Sequence, residues 1–83
     1  MKNFGTKDLC KCLENLGFTF DEHQTSNHHY KYSAPKGHIV PKGLRPFMMV
    51  QIGQKTFRPH SCSRYITEIK QLGFTKEEIE KCM

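Results

Sequence analysis

Tryptophan is absent from this 83-residue chain, and acidic side chains are scarce: eight Asp and Glu stand against thirteen Lys and Arg. The surplus, a net charge of +5 before any of the five histidines protonates, excludes a strongly acidic surface and favours an anionic partner such as RNA, DNA or an acidic protein. Long apolar runs are missing too. No stretch approaches the roughly 20 residues that cross a bilayer, and the opening Met1-Lys2-Asn3-Phe4-Gly5 lacks the apolar segment of a secretion signal. The expected location is therefore the cytoplasm, with no membrane partner. A chain this short accommodates a single domain, residues 1–83, whose small core leaves no room for a deep multi-part cleft. Its chemistry is expected on a surface or in a shallow groove.

Four cysteines, Cys10, Cys12, Cys62 and Cys82, suffice for two disulfides, but a reducing compartment favours free structural thiols, which is the expectation here. Cys10, Cys12, His60 and Cys62 contain two ligand pairs one residue apart. Structural zinc sites space each pair by two to four residues, so this is a weak zinc signature, and no metal or other cofactor is expected.

What is present reads as alternating helix and strand signals. Thr6 can cap a helix over about Lys7 to Leu16, because Leu9, Leu13 and Leu16 recur at helical spacing and Gly17 can take a left-handed stop. Phe18-Thr19-Phe20 then opens a strand reaching to about Glu22 or Gln24, and Gln24-Thr25-Ser26-Asn27 has turn chemistry that returns a second strand from His28 to Ser33. Pro35 ends it. The proline-stiffened basic segment from Pro35 to Pro46 is long enough to suggest a purpose, such as clasping a nucleic acid or a partner protein.

Phe47 to Ile52, the most apolar stretch, is expected near the sheet centre. Gly53-Gln54 can fold Lys55 to Arg58 back as a short hairpin arm. Ser61 or Ser63 caps a second helix whose stripe is Tyr65, Ile66, Ile69 and Leu72 before Gly73. Thr75 with Glu78 forms a capping box and Phe74 with Ile79 a hydrophobic staple, predicting a final helix from Lys76 to about Lys81. Leu16-Gly17-Phe18-Thr19 recurs as Leu72-Gly73-Phe74-Thr75, which is read as shared helix-stopping chemistry. The order predicts an α+β layer, α-β-β-β-α, with two helices over one sheet face, room for a fourth short strand, and a short C-terminal helix.

The chemistry-bearing stretch is Asn27-His28-His29-Tyr30-Lys31-Tyr32. Adjacent histidines entering an aromatic and basic alternation place groups that titrate near neutral pH beside rings and a cation, a composition that suits a phosphate-bearing ligand. In a strand His28, Tyr30 and Tyr32 point one way and His29 and Lys31 the other, so one histidine is held by the fold while its neighbour is presented. A polar edge strand that happens to carry two histidines has the same pattern.

These residues resemble the HicA (YcfA-like) toxins of type II toxin-antitoxin systems, small ribonucleases with a double-stranded-RNA-binding-domain-like fold. In that family a helix ending in Leu-x-x-x-Gly followed by Phe or Trp leads to a strand and then to Gly-Ser-His-x-x-Tyr, whose histidine activity depends on. Leu13-Glu14-Asn15-Leu16-Gly17-Phe18 corresponds to the helix end, and Asn27 to Tyr32 to the motif, with His29 at the active histidine and Tyr32 at its aromatic. Thr56-Phe57-Arg58-Pro59-His60 looks like the family's last strand, and the segment from Ile66 to Ile79 looks like its closing pattern. Two features depart: Asn27-His28 replaces Gly-Ser, and the segment from Pro35 to Pro46 exceeds the family's short hairpin connection.

The resemblance implies a toxin that is a metal-independent endoribonuclease, an mRNA interferase, acting on mRNA and held by a HicB-type antitoxin. His29, with His28 as the alternative, would be the general acid or base, since an imidazole with pKa near ~6.5 exchanges protons at neutral pH. Lys31, Arg45, Lys55 and Arg58 are the candidate RNA-binding cations. The competing reading keeps the fold without the chemistry, as a non-catalytic RNA-binding or regulatory module.

Overall fold

The computed structural model describes residues 3–21, 28–37, 40 and 42–83. Its elements run α1 (Thr6–Asn15), β1 (Thr19–Phe20), β2 (His29–Ser33), β3 (Phe47–Gln51), α2 (Pro59–Gln71) and α3 (Lys76–Cys82). The three strands form one antiparallel sheet in the order β1-β2-β3, and the expected α+β layer with a short closing helix is what the described residues build.

Helix α1 starts one residue earlier than its sequence suggests, and Thr6 does not cap it. The N-cap is Gly5, whose N–H reaches the Asp8 carboxylate at 3.2 Å. The Thr6 hydroxyl is spent on tertiary contacts instead, donating to the Gln51 carbonyl at 2.6 Å and accepting from the Gln54 N–H at 3.0 Å. Gly5 is required by close approach: a β-carbon there would overlap the Lys55 carbonyl. Helix α2 likewise begins at Pro59, with Arg58 at the N-cap, so neither Ser61 nor Ser63 caps it. Proline at the first helical position costs no hydrogen bond and presets φ, which explains why it wins. The capping box of α3 forms as read: Glu78 N–H donates to the Thr75 hydroxyl at 3.2 Å and Thr75 N–H to the Glu78 carboxylate at 2.9 Å.

Both copies of Leu-Gly-Phe-Thr end a helix in the same way. Gly17 and Gly73 sit at φ 96° and 100°. Their N–H groups bond the carbonyls of Glu14 (3.0 Å) and Lys70 (2.9 Å), and the following Phe18 and Phe74 reach back to Leu13 (2.9 Å) and Ile69 (3.5 Å). This is the two-bond left-handed stop that satisfies orphaned helix carbonyls. The two phenylalanines then meet, with ring centroids 5.5 Å apart, so the repeated tetrapeptide joins the end of α1 to the end of α2 inside the core.

That core lies on one face of the sheet. Leu9 and Leu13 of α1, Tyr32, Met48 and Val50 of the strands, Tyr65 and Ile69 of α2 and Ile79 of α3 are buried together. Each fully buried aliphatic side chain contributes about 1.5–3 kcal/mol relative to exposure. Three sequence expectations change here. β3 is an edge strand and β2 the central one. No fourth strand forms from Lys55 to Arg58, because the main chain of Gln51 is already taken: its N–H donates to the Tyr65 hydroxyl at 3.1 Å and its carbonyl accepts from Thr6. The chain there instead ties to the N-terminal segment, Phe57 N–H donating to the Phe4 carbonyl at 2.7 Å. Finally, Cys12 and Cys82 are not free thiols but a disulfide joining α1 to α3, seventy residues apart, since the packing of those helices brings their Cα atoms to 4.6 Å. The described part of β1 is Thr19–Phe20, and the turn expected at 24–27, like the strand end at 22–24, lies outside the described residues.

Candidate nucleic-acid interface

The register of β2 separates the two histidines. Tyr30 and Tyr32 pair with Val50 and Met48, the buried side of the sheet, while His29 pairs with Gln51, Lys31 with Met49 and Ser33 with Phe47. Because directly opposed residues of an antiparallel pair share a face, His29, Lys31, Phe47 and Met49 stand on the face without helices. His28 continues the ladder, its carbonyl accepting from Ile52 N–H at 2.9 Å, so its side chain belongs with Tyr30 on the other face. Adjacent imidazoles thus serve different surfaces, and one site cannot use both.

His29 is partly exposed and lies at the β3 edge in a cleft of about 270 Å³ that it shares with Arg45, Phe47, Met48, Met49, Arg64 and Glu68. A second cleft of about 290 Å³ shares Arg45, Phe47, Met48 and Glu68 with the first and extends past Gly43, Leu44 and Gln71. The two clefts adjoin at these shared residues along the edge of β3. Helix α2 supplies one wall, the segment before β3 the other, and the imidazole sits toward one end.

Cations dominate these clefts. Lys31 Nζ sits 4.5 Å above the centroid of the Phe47 ring and 4.0 Å from the Asp21 carboxylate, its side chain only 15% exposed. The Arg45 guanidinium lies 5.9 Å from the same centroid. Phe47 is therefore flanked by two positive groups, each gaining from the ring quadrupole. Arg64 stacks 5.0 Å from the Tyr65 ring at the cleft wall. Glu68 is the acidic member: partial burial pushes its carboxyl above the usual carboxylate range, against the opposing pull of the Arg64 guanidinium.

Of the cations singled out from sequence, the structure brings Arg45 into the cleft with His29 and places Lys31 beside it on Phe47. Lys55 lies elsewhere, in a broad groove of about 1110 Å³ between α1 and the sheet that also holds Lys7, Lys11, Phe20 and Tyr30. Arg58 stands exposed at the start of α2. Arg64 and Glu68 were missed by sequence reasoning. They are four apart and flank the apolar stripe residues Tyr65 and Ile69, so only the helical wheel hinted that they border the core and face an adjoining strand.

The larger groove is less suited to proton chemistry near neutral pH. At its floor the Tyr32 hydroxyl donates to the Glu14 carboxylate at 3.4 Å, and burial, with Cys10 and Glu14 nearby, raises the Tyr32 pKa far above that of an ordinary phenol. Burial also raises the Cys10 thiol. The zinc pairing is dispersed as well, with Cys12 bonded to Cys82 and Cys62 Sγ 3.7 Å from the carbonyl oxygens of both Phe4 and Phe57. Among the described residues no three His, Cys, Asp or Glu gather as metal ligands. No helix among them is long and apolar enough to cross a membrane.

No family model, no curated protein and no solved structure matches this chain.

Proposed function

We propose that this protein is a metal-independent endoribonuclease that cuts RNA by proton transfer through His29, acting as the toxin of a toxin-antitoxin pair with a HicB-type protein as its inhibitor. One observation carries the reading: a partly exposed imidazole at the head of the central strand shares a cleft with Arg45, Arg64 and Glu68, and Lys31 stands on the same sheet face. Attack of a ribose 2′-hydroxyl on the adjacent phosphorus needs a proton acceptor, a proton donor and positive charge around the equatorial oxygens. All three classes of group are present within one cleft. The resemblance of Asn27-His28-His29-Tyr30-Lys31-Tyr32 to the HicA motif points to the same imidazole independently of the geometry.

The test is cleavage of RNA by the purified protein in the presence of EDTA. Wild-type protein is expected to cut, and His29→Ala to lose about 10²–10⁴-fold in rate, with its thermal unfolding unchanged. His28→Ala, altering the other face, keeps most of the activity. Binding of RNA without cleavage, insensitive to His29, would instead identify a non-catalytic RNA-binding module.

A further inference from the structure

The shared cleft contains two groups able to exchange protons, one on each wall. Glu68 projects from α2 and His29 from β2, and both line the same space of about 270 Å³. The charged groups around Glu68 are Arg64 on its own helix, Arg45 from the segment before β3, and His29 from the sheet. An ionised carboxylate can only accept a proton, whereas an imidazole ring can carry one to give, so these side chains pair an acceptor on α2 with a donor on β2.

Resting on the ribonuclease reading, we infer that Glu68 is the general base and His29 the general acid of the cleavage, with Arg45 and Arg64 as the phosphate clamp. The 2′-hydroxyl proton passes to the Glu68 carboxylate as the 2′-oxygen forms its bond to phosphorus. The bond from phosphorus to the 5′-oxygen breaks, and that oxygen takes the proton of the His29 imidazolium. The products are a 2′,3′-cyclic phosphate and a 5′-hydroxyl. No water, metal or other reactant is consumed, and solvent returns one proton to His29 and removes one from Glu68. Partial burial makes the carboxylate a stronger base than it would be in water, against the opposing pull of the Arg64 guanidinium.

The experiment compares an RNA oligonucleotide with its counterpart carrying sulfur in place of the 5′-oxygen at the mapped cleavage position, under single-turnover conditions. A thiolate leaves without a proton, so the sulfur substrate bypasses the acid but not the base. Expected are a loss of about 10²–10⁴-fold for either His29→Ala or Glu68→Gln on the oxygen substrate. Sulfur restores the first variant and leaves the second slow. The wild-type rate follows a bell in pH, Glu68→Gln loses its rising limb, and Glu68→Asp, which keeps a carboxylate, retains that limb at a lower rate. Thermal unfolding of each variant accompanies the rates. Wild-type cleavage by Glu68→Gln, or rescue of Glu68→Gln by sulfur, overturns the assignment while the ribonuclease reading stands. Normal cleavage by His29→Ala overturns both.

Discussion

The two faces of the sheet use the same strands for opposite purposes. On the helix side Tyr32, Met48 and Val50 are sealed beneath α1 and α2, and the Tyr32 hydroxyl is engaged by Glu14 and Cys10. On the other side the residues between them, His29, Lys31, Phe47 and Met49, stay partly open, and the cations gather on a single ring. Strand alternation divides a ten-residue pair of strands into a stabilising set and a chemical set, so a change at one position can spare the function of its immediate neighbour. The division ends at the β3 edge. There α2 leans Arg64 and Glu68 toward the open face and makes a cleft from parts of both layers.

Breaking the covered face should cost most in stability. Ile69→Ala is expected to destabilise by about 2–5 kcal/mol through lost burial and the cavity left behind, whereas Met49→Ala, on the open face, should cost about 1 kcal/mol or less. Urea unfolding of the two variants makes the comparison, and equal losses would erase the distinction. Reducing the disulfide between Cys12 and Cys82 comes next. The link closes a loop of seventy residues, and its removal should lower stability by about 2–4 kcal/mol, read from unfolding with and without reductant, while His29 and its cleft on the far side remain in place. The smallest effect concerns the free thiol beneath the sheet. Burial raises Cys10 above the ordinary thiol range, so at pH 8 less of it is thiolate than in a free cysteine, and alkylation should be slower and accelerate only at higher pH. Mass spectrometry of iodoacetamide-treated protein measures this. A rate matching that of free cysteine would mean that this face is more open than its packing indicates.

Much of the fold was legible locally. Thr75 and Glu78 announced the last helix because a capping box is complete within four residues. Gly17 and Gly73 announced helix ends because left-handed φ is a one-residue property. The opposite orientation of His29 and His28 followed from strand alternation alone. Errors came where a residue had two possible uses. Thr6 looked like a cap but bonds Gln51 and Gln54, and Ser61 lost to Pro59. Lys55 to Arg58 looked like a short hairpin arm folding back on the sheet. It does not return, because Tyr65 and Thr6 already hold the main chain of Gln51.

What the amino-acid order determined by itself is the set of elements, their stops and the alternation that puts one imidazole on each side of β2, since all of these depend on neighbours within about one turn or one strand. Only the tertiary structure decided that β3 is an edge, that Phe18 and Phe74 share one core, that Cys12 meets Cys82, and that Arg64 and Glu68 border the cleft of His29. Each of these joins residues more than thirty positions apart or depends on which strand lacks a neighbour, and local propensity carries no information about either.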